Sequence, residues 1–173
     1  MAHMNAPPVQ MSTIDGVGTV SIRAIDDEFP RPESPSEWGD WGPVSPEVKS
    51  MVLHRWLVEL TSPDATTLAV GDMSAHAVWY GPTAGSRAMN IGISLVAEHR
   101  GMGIGSVAQR LLAEELHRQG TVRVEASTDV MNIGEQRSLE RAGFAFEGTL
   151  RQAQQRADGL HDLQVWSHID QSG

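Results

Sequence analysis

The sequence predicts a single mixed α/β domain, and three observations carry that prediction. Its 173 residues are the length of one ordinary domain and suffice to bury most of the surface of the unfolded chain. Short runs that alternate β-branched or apolar residues with polar ones are interleaved with stretches of helical apolar spacing. At the midpoint, a strand-like run passes through the glycine-rich turn Arg100-Gly101-Met102-Gly103-Ile104-Gly105 into a helix-like run.

Bulk composition narrows the function classes. Forty per cent hydrophobic and 20% charged residues are globular values. No run reaches the roughly 18 apolar residues of a membrane span, and no basic start leads into an apolar block. The expectation is a soluble cytoplasmic protein with no membrane partner. The absence of cysteine removes disulfides, thiolate metal sites and a cysteine nucleophile. His54, His76, His99, His117 and His168 show no shared metal-site spacing, so no metal is expected. A formal charge of −9 argues against a nucleic-acid partner, which is gripped by clustered Lys and Arg. It is compatible with a cationic small substrate, although most acidic surfaces are simply solvated.

The elements follow in order. Met1 to Met4 reads as an initiator methionine with a tag remnant, and residues 1–13 are expected to be a flexible lead before a domain over 14–173. Residues 19–25 alternate as a half-buried strand. Four prolines and two glycines around Trp38 and Trp41 make residues 29–45 a loop. Ser45, Pro46 and Glu47 supply a helix start, and Val48, Met51, Val52, Trp56 and Leu60 continue at helical spacing, predicting a helix to about Leu60. Residues 66–70 and 75–80 are strand-like, with Gly71-Asp72 as a hairpin turn between them. Residues 89–96 form a further strand. Ile104, Val107, Ala108, Leu111, Leu112 and Leu116 mark a helix face ending before Gly120. A strand over 122–126, a helix over 132–142 closed by Gly143, and strands over 144–150 and 161–169 complete the order β, α, β, β, β, α, β, α, β, β.

The glycine-rich turn is the candidate functional feature. Binding a phosphate requires several backbone N–H groups aimed at one point, and a helix N-terminus preceded by glycines offers them with the positive end of the helix dipole. Gly101, Gly103 and Gly105 leave that approach open, Ser106 adds a hydroxyl and Arg100 a permanent charge. In isolation the pattern is equally consistent with a tight β-to-α turn. A Walker A loop is excluded because no lysine follows Gly105. A dinucleotide fingerprint needs its third glycine one place later, although Glu125 stands at a suitable distance for one.

The run from Leu95 to Gly105 resembles the acetyl-CoA motif Arg/Gln-x-x-Gly-x-Gly/Ala of the GCN5-related N-acetyltransferases (GNAT). A second block, Asn132, Leu139-Glu140-Arg141-Ala142-Gly143-Phe144 and Glu147-Gly148-Thr149-Leu150-Arg151, is similar to the C-terminal signature of their RimJ/RimL-like branch. Ile22-Arg23, Ile91-Gly92-Ile93 and Gly159-Leu160-His161-Asp162 extend the likeness over about residues 19–169.

The resemblance implies a single domain with a mixed, mainly antiparallel sheet flanked by helices and CoA at a splayed central strand pair. It implies transfer of an acetyl group from acetyl-CoA to a small-molecule or peptide primary amine, with CoA as product, by direct attack in a ternary complex. Leu95 and Val96 would lie along the pantetheine, with a backbone N–H there serving the oxyanion. Arg100, Gly101, Met102, Gly103, Ile104, Gly105 and Ser106 would hold the pyrophosphate, and Asn132 and Arg137 would touch the cofactor. Trp38, Asp40 and Trp41 would stand beside the acceptor, and a homodimer would pair through the late strands.

Proton transfer is where the sequence departs from the branch. Asn90 occupies a position that often holds Glu, and an amide cannot accept a proton. His161 is the replacement base, because an ordinary imidazole pKa of about 6.5 suits the task. Asn132, with Ser138 or a water, would serve the leaving thiolate, since Glu135 occupies a place that is often Ser. Bland alternatives stay open: a helix N-cap for Asn132, a turn residue for His161, and buried anchors for the two tryptophans. A non-catalytic acyl-CoA-binding or sensing domain is the alternative function.

Overall fold

The computed structural model describes residues 10–45 and 52–170. Within them run β1 (Gln10–Ile14), β2 (Gly18–Ile25), β3 (His54–Thr61), β4 (Thr67–Trp79), β5 (Arg87–Leu95), α1 (Ile104–Arg118), β6 (Arg123–Asp129), α2 (Ile133–Arg141), β7 (Ala145–Arg156) and β8 (Gly159–Ile169). The strands form one sheet in the order β1-β2-β3-β4-β5-β6-β8-β7. Every neighbouring pair is antiparallel except β5–β6, which is parallel because α1 carries the chain back across the sheet between them.

One face of the sheet is apolar and supports α1. Val20 and Ile22 of β2, Trp56 and Val58 of β3, Met73 and Ala75 of β4 and Val124 of β6 share a core with Ile104, Leu111 and Leu112 of α1. The two-residue period of the strands and the helical period of α1 thus meet in one layer. Leu139 of α2 and Phe144 close the core at the β6 side.

The structure corrects the sequence reading at three places. Residues 54–61 form strand β3, not the end of a helix. Trp56 and Leu60 are four residues apart and fit both periods; Val58 between them, buried with both, shows that the true repeat is two. The helix start expected at Pro46 lies outside the described residues. Residues 67–79 form one continuous strand without a turn at Gly71-Asp72. A β-bulge at Val70 shifts the register against β3, and a Cβ on Gly71 would lie 2.2 Å from the Ser94 carbonyl oxygen, so this glycine serves close strand approach. The hairpin turn sits earlier, where Ser62 N–H donates to the Thr66 carbonyl. Finally, the flexible lead over residues 1–13 gives way at Gln10 to strand β1, which pairs along β2; residues 1–9 lie outside the described residues.

The feature that positions the site is the parting of β5 and β6. They pair only at Met89–Val124, Asn90–Glu125 and Ile91–Ala126, while β5 continues to Leu95 and β6 to Asp129. Beyond Ile91 the sheet therefore opens into a gap.

Candidate functional site

A cleft of about 1020 Å³ follows that gap. Its walls are the diverging ends of β5 and β6, the loop 34–41, the glycine-rich turn, the first turns of α2 and the end of β7. Four arginines (Arg100, Arg137, Arg141 and Arg156) and two glutamates (Glu37 and Glu135) line it. The cleft is thus locally cationic in a chain of net charge −9.

Its floor carries unpaired backbone. Val96 N–H donates to the Val70 carbonyl and so completes the β4 ladder. Alternation along the strand then directs the N–H groups of Ile93 and Leu95 to the other side, into the gap left by β6. The oxyanion donor expected at Leu95 or Val96 is therefore available at Leu95 and taken at Val96.

At one end of the cleft the chain turns into α1. Gly101 and Gly103 have φ of +75° and +82°, a left-handed backbone that disfavours other residues. Gly103 is the N-cap and makes no side-chain cap bond. The N–H groups of Ile104, Gly105 and Ser106 precede the first intrahelical donor, Val107, which bonds the Gly103 carbonyl. This uncapped, glycine-flanked helix start fits a pyrophosphate. Gly105 has a separate reason: a Cβ there would meet Ser138 Oγ of α2 at 3.1 Å.

Arg100 is fixed rather than free. Its Nε donates to the Leu95 carbonyl at 2.9 Å and its Nη2 to the Pro35 carbonyl at 2.8 Å, tying the loop to the end of β5. No carboxylate neutralises it among the described residues, so its charge remains available to an anion. Met102 and Ile104, also expected at the cofactor, do not line the cleft; Ile104 is fully buried in the core.

Asn132 caps α2, its Oδ1 accepting from Glu135 N–H at 3.2 Å, and it lines the cleft as well. Cap and cleft-lining residue thus coexist in one side chain. Beside it runs a hydrogen-bond chain that the sequence did not reveal. Gln109 of α1, 1% exposed, donates to Glu135 and accepts from Ser138 Oγ at 3.0 Å, and Ser138 in turn lies 3.3 Å from Ser106 Oγ. Burial pushes the Glu135 carboxyl up to about 7, against the opposing effect of its bond from Gln109.

The tryptophans stand beside the end of β7. Trp38 and Trp41 line the cleft, whereas the Asp40 side chain does not; the Asp40 carbonyl accepts from Ala157 N–H. The two tryptophans expected beside the acceptor both pack against the protein's own Arg156. Its Cζ stands 4.9 Å from the Trp41 ring centroid and 5.7 Å from that of Trp38, and its Nη1 donates to the Trp38 carbonyl at 2.6 Å. No signal in the sequence singled out this residue.

His161 stands outside the cleft lining. Its Nδ1 lies 2.5 Å from Asp129 Oδ2 and its Nε2 2.8 Å from Asp158 Oδ1. Those two carboxylates, Asp158 foremost, raise its pKa and hold its proton. Asn90 is flanked in register by His76 on β4 and Glu125 on β6. Burial lowers the pKa of His76, with Glu125 acting in the opposite sense, while Tyr80 and Arg123 bond Glu125. Among the described residues no group of three or more His, Asp or Glu could hold a metal ion, and no helix is long and apolar enough to cross a membrane.

Comparison with known proteins agrees with this architecture. The family model described as an acetyltransferase (GNAT) domain matches residues 23–145. A structure of RimL, a ribosomal L7/L12 alpha-N-protein acetyltransferase in complex with coenzyme A, superposes with a TM-score of 0.57 at 22% identity, covering 73% of this chain and 67% of that one. RimJ of Mycobacterium smegmatis with CoA-disulfide gives 0.64 at 16% identity, covering 88% and 82%. The microcin C7 self-immunity acetyltransferase MccE with acetyl-CoA and AMP gives 0.56 at 21% identity, covering 68% and 61%, so this chain spans less than two thirds of that protein. At these identities the likeness is one of fold. No curated protein sequence matches the chain.

Proposed function

Since the chain belongs to the GNAT acetyltransferase family, we propose that it is an acetyl-CoA-dependent N-acetyltransferase of the RimJ/RimL-like kind, acting on a primary amine by direct attack within a ternary complex. The observation that carries this reading is the single cleft joining an uncapped, glycine-flanked helix start to open backbone N–H groups at the parting of β5 and β6. When bound, the cofactor supplies the acetyl thioester. The chain does the rest. The α1 start with Arg100 holds the pyrophosphate, Arg137 and Arg141 offer further charge to phosphates, and Asn132 bonds the cofactor while capping α2. The N–H groups of Ile93 and Leu95 can bond the developing oxyanion.

The proton inventory bears on the acceptor. His161 keeps its proton between two carboxylates, and Asn90 cannot take one, so we assign the abstraction to neither. An alkyl ammonium of pKa about 10 needs a base, whereas an α-amine of pKa about 8 is partly free at neutral pH. The site therefore favours an α-amine. For the leaving thiolate, the Glu135 carboxyl and the Ser138 hydroxyl, both in the cleft lining, are the candidate proton donors.

That neither expected base can serve, Asn90 being an amide and His161 standing outside the cleft lining between two carboxylates, also favours a second reading, a non-catalytic acyl-CoA-binding domain. A thiol-release assay with acetyl-CoA over α-amino peptides, polyamines and amino sugars separates the two. Turnover on α-amino peptides is expected; thermal stabilisation by CoA with no turnover on any acceptor would leave the binding domain standing.

A further inference from the structure

At the end of β7 the cleft holds a further arginine, one given no part in holding the cofactor. Arg156 is 6% exposed, lines the cleft and reaches it from the last residue of β7. Its Nε donates to Gln154 Oε1 at 3.0 Å and lies 3.6 Å from Asp129 Oδ2, and one Nη1 hydrogen is taken by the Trp38 carbonyl. Among the described residues no bond engages Nη2. With its Cζ over both indole rings, the donors left to a ligand lie in the plane of the guanidinium, along its Nη1–Nη2 edge.

The charges around it do not cancel it. Asp129, 1% exposed, is the carboxylate that pairs with it, and it is shared with His161. Its other oxygen accepts from Met131 N–H. Asp158 pairs with the far nitrogen of His161 but is 76% exposed, and Glu37 on the facing loop is exposed, so solvent screens both. A planar donor edge beside a half-shared carboxylate suits a carboxylate ligand and repels a second ammonium.

Resting on the acetyltransferase reading, we infer that Arg156 is an acceptor-specificity residue that binds a carboxylate of the acceptor, so that the substrates are amines bearing a nearby carboxylate and polycationic amines are disfavoured. Net charge alone pointed the other way, because it averages over a surface that the cleft does not share.

Peptides with one N-terminal residue and Asp, Asn or Arg at the second or third position test this. The wild-type protein is expected to show kcat/KM at least about 10-fold higher for Asp than for Asn at one of these positions, with the difference in KM, and lowest for Arg. Arg156→Gln should bring the Asp-to-Asn ratio near unity while leaving the dissociation constant of CoA unchanged, and Arg156→Lys should fall between. A tryptophan-fluorescence titration of the wild-type protein with the acetylated Asp and Asn peptides gives a readout independent of turnover and of whether the variants fold; tighter binding of the Asp peptide is expected. Equal ratios in the wild-type protein, equal binding of the two products, or a ratio that survives Arg156→Gln would overturn the inference. Turnover of all peptides without selectivity defeats it alone, whereas CoA binding without any turnover defeats the acetyltransferase reading as well.

Discussion

Ser138 Oγ lies 3.1 Å from the point where a Cβ on Gly105 would stand, which makes the third glycine of the turn a contact between α1 and α2. Alanine at 105 would gain about 0.5–1 kcal/mol of helix propensity, yet it must turn Ser138 away from Gln109 and forfeit a hydrogen bond of about 1 kcal/mol. Gly105→Ala is therefore expected to be near neutral in the wild-type background and stabilising in a Ser138→Ala background. The coupling in a double-mutant cycle measured by urea unfolding should be about 1 kcal/mol; strict additivity would contradict the contact.

Glu135 predicts a pH-dependent gain. Its carboxyl, pushed up to about 7, keeps in the folded state a proton that the unfolded chain releases near its ordinary value of 4.5. The resulting penalty is absent below about pH 4.5, grows as pH rises, and is complete above about pH 7. Glu135→Gln should thus stabilise the protein by on the order of 1–3 kcal/mol at about pH 8.5 and by little at about pH 4.5. Unfolding curves at both pH values check this, and a gain independent of pH would argue against a buried, titrating carboxyl.

His168, which faces His117, acts in the acidic range. His117 Nε2 and His168 Nδ1 are 2.9 Å apart, and burial first, then His117, lowers the pKa of His168. The neutral ring is matched to the folded state above the ordinary value of about 6.5. As pH falls below it the unfolded chain takes up the proton more readily, so this contribution is lost. His161, with its raised pKa, contributes in the opposite sense, which is why the comparison must be between variant and wild type. His168→Gln should flatten the loss of stability between about pH 7 and pH 5; an unchanged slope would mean that His168 does not titrate in this way.

Arg100 links the cofactor end to the loop that carries Trp38. Arg100→Gln removes a charge from the pyrophosphate site and the bond to the Pro35 carbonyl. The dissociation constant of CoA is expected to rise about 10-fold or more, with faster amide exchange in the loop 34–41. Calorimetry and hydrogen exchange report the two effects separately, and an unaltered affinity would show that Arg100 serves the loop alone.

The fold was legible wherever one period dominated. The helix from Ile104, the helix capped by Asn132 and the strands from β5 onward stand close to where apolar spacing and terminal signals put them, except that β7 runs on past the expected end at Leu150 to Arg156. Reading failed where Trp56 and Leu60 satisfied two periods at once, and where Gly71, a glycine of close approach, looked like a turn. Local motifs pointed to the proposed pyrophosphate site, since Arg100 to Ser106 are consecutive in the chain. The proposed acceptor end is assembled from Trp38, Asp129 and Arg156, and nothing local in the chain announces contacts across such separations. His161 illustrates the limit: its residue type suits a base, but its two carboxylate partners are visible only in three dimensions.

The central claim is that the start of α1 grips the pyrophosphate of an acyl-CoA whose thioester lies in the gap between β5 and β6. Calorimetric titration with acetyl-CoA and with acetyl-pantetheine, which lacks the nucleotide and its phosphates, tests it most directly. Acetyl-CoA should bind at least about 100-fold more tightly, a difference of about 2.7 kcal/mol, and the advantage should shrink as salt rises. Equal affinities, or an advantage indifferent to salt, would contradict the claim.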